Sequence, residues 1–239
     1  MKTKFYKHQL FPFIFCLFAV CGQLCGQSAE GSGGAAMDLL KDAVGISGTD
    51  KTKAIEAFAA ALDKAKSVND EAAMFNILRE RGYFYEDNNQ LESAFSDYLQ
   101  AQNIAQKTGS NPDLLSIYTD LAIVSRKMAR YVDCKNYHTK ALELAERTGD
   151  QEIIEDSYHG LGFLYEQIGD YEKAVSSYLK SLELTQKRGE KKGEIVTLQQ
   201  IGKTYSQLNQ RDLALQNIAE AEKLAIEAKN DSILANVHH

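Results

Sequence analysis

The chain has 239 residues, of which 44% are hydrophobic, and its 33 acidic and 27 basic side chains give a net charge of −6. Nucleic-acid-binding proteins usually carry a strong basic excess, so this composition predicts no nucleic acid partner. The chain contains only two prolines and no tryptophan. Because β-sandwiches and barrels need frequent turn residues, this shortage of helix breakers favours an all-α fold.

The first 26 residues have the pattern of a secretory signal peptide. Lys2, Lys4 and Lys7 precede an apolar run over residues 10–20, and small and polar residues follow it. The three parts occur in the order that export signals require, and the run is shorter than the ~20 residues of a permanent membrane span. We therefore predict a signal peptide over residues 1–26 and a periplasmic or extracellular location. A lipid anchor and a buried N-terminal helix are disfavoured alternatives.

A Gly-rich polar segment over residues 27–35 is typical of a flexible leader. Loss of residues 1–26 would leave 24 basic and 33 acidic residues. Three of the four cysteines lie within the predicted signal, so Cys134 has no partner for an internal disulfide.

A 40-residue period organises residues 36–239, since small and aromatic residues recur in fixed columns. The columns comprise Ala54, Ala94, Cys134, Ala174 and Ala214; Ala61, Ala101, Ala141, Ser181 and Ala221; Phe58, Tyr98, His138, Tyr178 and Ile218; and Gly82, Ala122, Gly162 and Gly202. Several columns held over four or five periods predict a repeat array.

Each period predicts two antiparallel helices of about 17 residues, roughly 25 Å long. Gly169-Asp170 separates the two helices of the fourth period, with Asp170 suited to cap the second. Asn111-Pro112 marks another helix start, where we expect Asn111 to cap and Pro112 to take the first helical position. One such hairpin cannot bury both of its faces, so neighbouring hairpins must stack.

These columns resemble the tetratricopeptide repeat (TPR) family over about residues 36–239. In the fourth period the family's motif is matched at Leu161-Gly162, Tyr165, Gly169-Asp170-Tyr171, Ala174, Tyr178 and Ser181. The period is six residues longer than the family's usual one and is similar to its 40-residue subclass, which is found in bacterial regulators and kinesin light chains. The resemblance implies a right-handed superhelical solenoid of five antiparallel helix hairpins, the first of them degenerate. It also implies a protein or peptide ligand.

Residues 231–239 continue the register into the start of a sixth hairpin. A short solvating helix that caps the array is one interpretation. The one we favour is a longer chain, since exported arrays of this kind resemble the sensory segments of bacterial regulators, in which a transmembrane helix and a signalling domain follow.

Motifs for catalysis or metal binding are not recognised in the sequence. It has no HExxH or CxxC spacing, and Asp50 replaces the glycine that a phosphate-binding loop needs before Lys51-Thr52. His138 and Cys134 fall in core columns, which favours structural roles for both. We expect a non-enzymatic protein with no catalytic residue, no metal and no cofactor.

The resemblance places the ligand groove on the first helices of the hairpins. The positions that it implies as peptide-binding are Arg79, Tyr83, Thr119, Ile123, Arg126, Lys127, His159, Phe163, Gln199 and Lys203. Tyr83, Ile123 and Phe163 would form an apolar ladder on the groove floor, or would only pack between adjacent helices. The cations are suited to ligand carboxylates.

The sequence thus predicts an exported TPR scaffold that binds protein or peptide. We expect it to be the sensory part of a longer signalling protein, whose mature chain as given does not insert into a membrane. A complete, free-standing periplasmic adaptor that assembles envelope complexes is the alternative.

Overall fold

The computed structural model of the chain describes the backbone of residues 33–237 and the side chains of residues 34–228. The predicted signal peptide, residues 1–26, lies outside the described residues, as does the predicted leader up to residue 32. The helices are α1 (Gly33–Ile46), α2 (Lys51–Ser67), α3 (Glu71–Asp87), α4 (Leu91–Thr108), α5 (Asn111–Lys127), α6 (Tyr131–Thr148), α7 (Gln151–Gln167), α8 (Tyr171–Arg188), α9 (Lys191–Gln207) and α10 (Arg211–Val237).

Consecutive helices pair into five hairpins, and each hairpin packs on the next. From α2 to α9 every helix has 17 or 18 residues, which confirms the predicted length. The described part of the chain is therefore the all-α solenoid of antiparallel hairpins that the sequence predicted. Helix α1 begins at Gly33, inside the last residues of the predicted leader.

Local side-chain chemistry fixes where the helices begin and end. The carboxylates of Asp50, Asp70, Asp150 and Asp170 each accept a hydrogen bond from a backbone N–H in the first helical turn, as N-caps do. The predicted cap at Asn111 is wrong. Ser110 caps α5 instead, and Asn111 is the first helical residue. Gly109, Gly149 and Gly189 end the second helices with positive φ, which glycine adopts without steric cost.

The repeated small residues form the spine of the core. Members of the two alanine-type columns in the five hairpins are at most 5% exposed. A Cβ added to Gly82 or Gly162 would lie 2.3 Å or 2.6 Å from the ring of Tyr98 or Tyr178. The glycine column therefore exists because an aromatic ring from the second helix of the same hairpin rests on the backbone of the first.

Helix α10 differs from the other second helices, because it has 27 residues. The second helices of three earlier hairpins end at Gly109, Gly149 and Gly189. The corresponding residue of the fifth hairpin is Lys229, and α10 continues through it. The segment that we predicted to start a sixth hairpin at Asp231 is part of this helix up to Val237. A separate sixth hairpin stays a prediction.

Candidate functional site

The first helices of neighbouring hairpins form the inner side of the solenoid. Helix α1 contacts α3, and α5 contacts α7, while ion pairs join α3 to α5 and α7 to α9. Helices that approach each other across hairpins line the concave surface of a solenoid. We call the surface formed by α3, α5, α7 and α9 the inner groove.

At the α3–α5 step, Arg79 and Tyr83 bind the same carboxylate. Arg79 Nε lies 2.5 Å from Asp120 Oδ2, and the Tyr83 hydroxyl donates to Asp120 Oδ1 at 2.9 Å. Burial alone would lower the pKa of Arg79, but the Asp120 carboxylate raises it above its usual value. For Tyr83, burial raises the pKa of the hydroxyl, and the negative charge of Asp120 raises it further. Arg79 is therefore a fixed cation and Tyr83 a fixed donor, both already engaged within the chain.

A second network repeats in hairpins two and four. The Tyr98 hydroxyl donates to Glu86 at 3.1 Å, and Lys127 of the next hairpin lies 2.5 Å from the same carboxylate. In the fourth hairpin the Tyr178 hydroxyl donates to Glu166 at 3.1 Å. Glu166 is in turn 2.5 Å from Lys203. A glutamate on the first helix thus joins the second helix of its own hairpin to the following hairpin.

The hydrogen bonds from Tyr98 to Glu86 and from Tyr178 to Glu166 were not predicted from the sequence. Tyr98 follows Glu86 by 12 residues, as Tyr178 follows Glu166, and both pairs occupy the same repeat positions. This shared spacing was the feature of the sequence that could have indicated the pairing. It predicts proximity only after the hairpin geometry is known, since nothing in the sequence specifies that the hydroxyl reaches the carboxylate.

Arg126 is the groove cation that has no carboxylate within ion-pair distance among the described side chains. Its guanidinium carbon lies 4.6 Å from the ring centroid of Phe163, on the next first helix. A cation over an aromatic face is attracted by the ring's quadrupole. Arg126 therefore has a defined position while its charge remains uncompensated.

The remaining predicted groove residues divide between the walls and the surface. The Thr119 hydroxyl donates to the Leu115 carbonyl at 3.1 Å. The His159 ring packs on Tyr178 with centroids 5.4 Å apart, and its Nε2 is buried without a described hydrogen-bond partner. Ile123 is half-buried and Gln199 is exposed. Thr119 and His159 thus contribute to the walls of the groove.

The two interpretations of the apolar ladder both describe part of the structure. Tyr83, Ile123 and Phe163 are all partly exposed. Tyr83 also packs edge-on against Tyr98, with ring centroids 5.8 Å apart, and Phe163 supports Arg126. These side chains pack between helices and still present one face to the groove.

Asp156 is an exposed carboxylate on the inner face of α7 with a perturbed pKa. Surrounding protein excludes part of its water, and Glu155 and Glu152 add negative charge beside it. Together these effects raise the pKa of Asp156 from 3.8 to about 6. Arg188, whose positive charge partly offsets this rise in pKa, is itself paired with Glu155 and Glu190, and Asp156 has no ion-pair partner among the described side chains. Asp87, at the end of α3, also has no ion-pair partner among the described side chains. It lines a recess of about 380 Å³ together with Tyr83, Lys51 and Val44.

Buried Cys134 and His138 have structural environments. Burial raises the pKa of the Cys134 thiol to about 11, which keeps the thiol protonated and a poor nucleophile. Burial and the charge of Arg126 lower the pKa of His138 to about 4. Within the described residues, no group of three or more His, Cys, Asp or Glu side chains has the spacing of a metal site.

Helices that span membranes need length and apolar character together. None of the ten helices within residues 33–237 combines the two.

Comparison with known proteins identifies the repeats. The family profile described as tetratricopeptide repeat matches residues 113–187 and 153–227. The chain has no significant sequence match among proteins of curated function.

Solved structures share the architecture. RapI in its apo form superposes with a TM-score of 0.74 at 17% identity, covering 84% of this chain and 74% of RapI. BtubC (BKLC) from P. vanneervenii gives 0.70 at 17% identity, covering 85% of this chain and 93% of BtubC. A signal transduction ATPase with a tetratricopeptide repeat sensor, from Pyrococcus horikoshii, gives 0.69 at 21% identity. That match covers 82% of this chain and 30% of the ATPase. The profile match assigns residues 113–227 to the tetratricopeptide repeat family, and the solved structures share its fold.

Proposed function

We propose that this protein is an exported, non-enzymatic scaffold that binds a protein or peptide segment in its inner groove. The observation that carries the proposal is the groove itself, where half-buried apolar side chains lie among charges held by neighbouring helices. Such a surface has the mixture of apolar floor and positioned polar groups that recognition sites use.

The charge pattern supports a positioning role for most of the groove cations. Arg79, Lys127 and Lys203 each bind a carboxylate of an adjacent first helix, so they hold the hairpins in register. Ligand contact then rests mainly on the exposed faces of Ile123 and Phe163 and on the uncompensated charge of Arg126.

The groove proposal is tested by site-specific crosslinking in the organism's own cells. A photoreactive phenylalanine analogue replaces Ile123 in the groove or, as the matched control, Leu179, which is 44% exposed on the second helix α8. We expect crosslinked partners from position 123 and none from position 179. Equal crosslinking at both positions, or none at either, would contradict a groove-specific function.

Export is the second part of the proposal, and the basic and apolar pattern of residues 1–26 supports it. A C-terminal alkaline phosphatase fusion of the full chain is active only after export. We expect activity from the wild type and loss of activity when Phe15→Arg interrupts the apolar run. Retained activity in the variant would count against a signal peptide.

A sensory role in a longer signalling protein is the version of the function that we favour. The P. horikoshii ATPase gives a precedent, because its tetratricopeptide repeats form a sensor and this chain spans 30% of its length. The alternative is a free-standing adaptor, favoured by the match to BtubC, of which the chain spans 93%. The coding DNA beyond codon 239 discriminates them. A frame that continues to an apolar stretch of ~20 residues supports the sensor, and an immediate stop codon supports the adaptor.

A further inference from the structure

The uncompensated charges of the inner groove are not spread evenly. Within the described residues, Arg79, Lys127 and Lys203 are neutralised by Asp120, Glu86 and Glu166. Two groove charges that remain, Arg126 on α5 and Asp156 on α7, lie on neighbouring first helices and have opposite signs. The third, Asp87, lies in the preceding hairpin.

The position of the two charges is fixed by one stripe of α7. Asp156, His159 and Phe163 are spaced i, i+3 and i+7, so they share one helix face. Arg126 lies over Phe163, at the far end of that stripe from Asp156. Seven residues of helix rise about 10 Å, so the uncompensated cation and anion are separated by roughly that distance along the groove.

The negative charge of Asp156 is costly in the isolated chain. Asp156 stands beside Glu152 and Glu155, which repel its negative charge. Arg126 has no carboxylate partner among the described side chains, and its positive charge lowers the pKa of neighbouring His138. A basic ligand group would relieve the repulsion at Asp156, and an acidic group would pair with Arg126, so the electrostatics of this step complement one negative and one positive group.

We infer that the α5–α7 step binds an extended peptide segment carrying an acidic and a basic side chain three residues apart, with the acid on Arg126 and the base on Asp156. An extended chain with three residues per turn projects residues i and i+3 on the same side, about 9 Å apart. The segment between them then crosses the exposed face of Phe163. This inference rests on the proposed function and specifies the chemistry of its ligand.

The direct test uses a panel of blocked, fluorescein-labelled twelve-residue peptides of alanine and glycine. Each peptide carries one glutamate and one lysine at a spacing of one to six residues. Neutral, two-glutamate and two-lysine peptides complete the panel. Binding to the processed full-length chain is measured by fluorescence polarisation. We expect the mixed-charge peptides with spacing three to bind about tenfold more tightly than the neutral peptide, the scale of one charge-assisted contact.

Charge reversal makes the test specific. Arg126→Glu should shift the preference to the two-lysine peptide, and Asp156→Lys should shift it to the two-glutamate peptide, each by about tenfold. Lys135→Glu and Glu143→Lys, at exposed positions of α6, are the matched controls and should leave the preference unchanged. Circular dichroism verifies that every variant is folded.

The outcomes separate this inference from the proposed function. Peptide binding that ignores charge, or a preference that survives both reversals, would overturn the inference and leave groove binding intact. No binding by any peptide, with crosslinking at position 123 retained, would also overturn the inference alone. Loss of the groove-specific crosslink would remove the proposed function on which it rests.

Discussion

His138 occupies the position that tyrosine holds in the second and fourth hairpins, and its surroundings change with it. Tyr98 and Tyr178 rest on a glycine and donate to a glutamate of their own hairpin. In the third hairpin those partners become Ala122 and Arg126. A larger ring would meet the Cβ of Ala122, and its hydroxyl would have no carboxylate. The His138 ring instead approaches the backbone of the next hairpin at Gly160, where an added Cβ would lie 2.2 Å away.

The burial of His138 predicts that acid weakens the fold. Its pKa falls from 6.5 to about 4 on folding, so between these values the unfolded chain binds a proton that the folded chain does not. Stability from the neutral imidazole is therefore present above pH 6.5 and is lost as the pH falls toward 4. Between pH 7 and pH 5 we expect this group to cost about 2 kcal/mol of unfolding free energy.

Urea unfolding of the wild type and His138→Gln at the two pH values measures this loss. The variant should lack this component of the pH dependence. Asp156 acts in the opposite direction, because its pKa is raised and protonation favours the folded chain, but it is present in both proteins and cancels in the comparison. An identical pH dependence in the two proteins would show that His138 is not the titrating group.

At the scale of single helices, the boundaries were largely predictable and the side-chain contacts were not. Asp170 was predicted to cap its helix and does, because a cap depends on residues three positions apart. The pairs Arg79–Asp120 and Glu86–Lys127 join residues 41 positions apart. Such pairs depend on how far one hairpin is rotated against the next. That rotation is set by packing along the whole interface between hairpins. The sequence therefore predicted that Arg79 and Lys127 lie in the groove, but it did not predict that Asp120 and Glu86 neutralise them.

The turns between the two helices of a hairpin predict a matched pair of substitutions. The corresponding turn residue is Asn89, Ala129, Gly169 or Asn209, and all have positive φ. Alanine is strained in this region, whereas glycine is not. We expect Ala129→Gly to stabilise the fold by about 1 kcal/mol and Gly169→Ala to destabilise it by a similar amount.

This pair isolates the backbone effect, because a Cβ added at Gly169 would meet no atom within 4 Å. Chemical denaturation of both variants gives the two free-energy changes. Effects of the same sign in both variants would show that something other than backbone conformation controls these turns.

At the scale of the whole molecule, the main helix–helix contacts within residues 33–237 lie inside a hairpin or between neighbouring hairpins. Helix α8 contacts α7 in its own hairpin and α9 in the next. Tyr178 faces Gly162 on one side, and Thr185 faces Gly193 on the other. In such arrays stability is a sum of repeat and interface contributions. Damage to one hairpin should therefore spread to its neighbours and leave distant hairpins folded.

Inserting one alanine between Ser177 and Tyr178 tests this coupling. The insertion rotates the following part of α8 by about 100°, which removes Leu182 and Thr185 from both of their interfaces. We expect backbone amides from α7 to α10 to lose hydrogen-exchange protection, while α2 to α4 retain it. An alanine inserted in the turn between Gly189 and Glu190 is the control, since lengthening a surface turn costs little. Uniform loss of protection across all hairpins would instead mean that the solenoid unfolds as one unit, and full protection would mean that the 40-residue register is not what holds the array together.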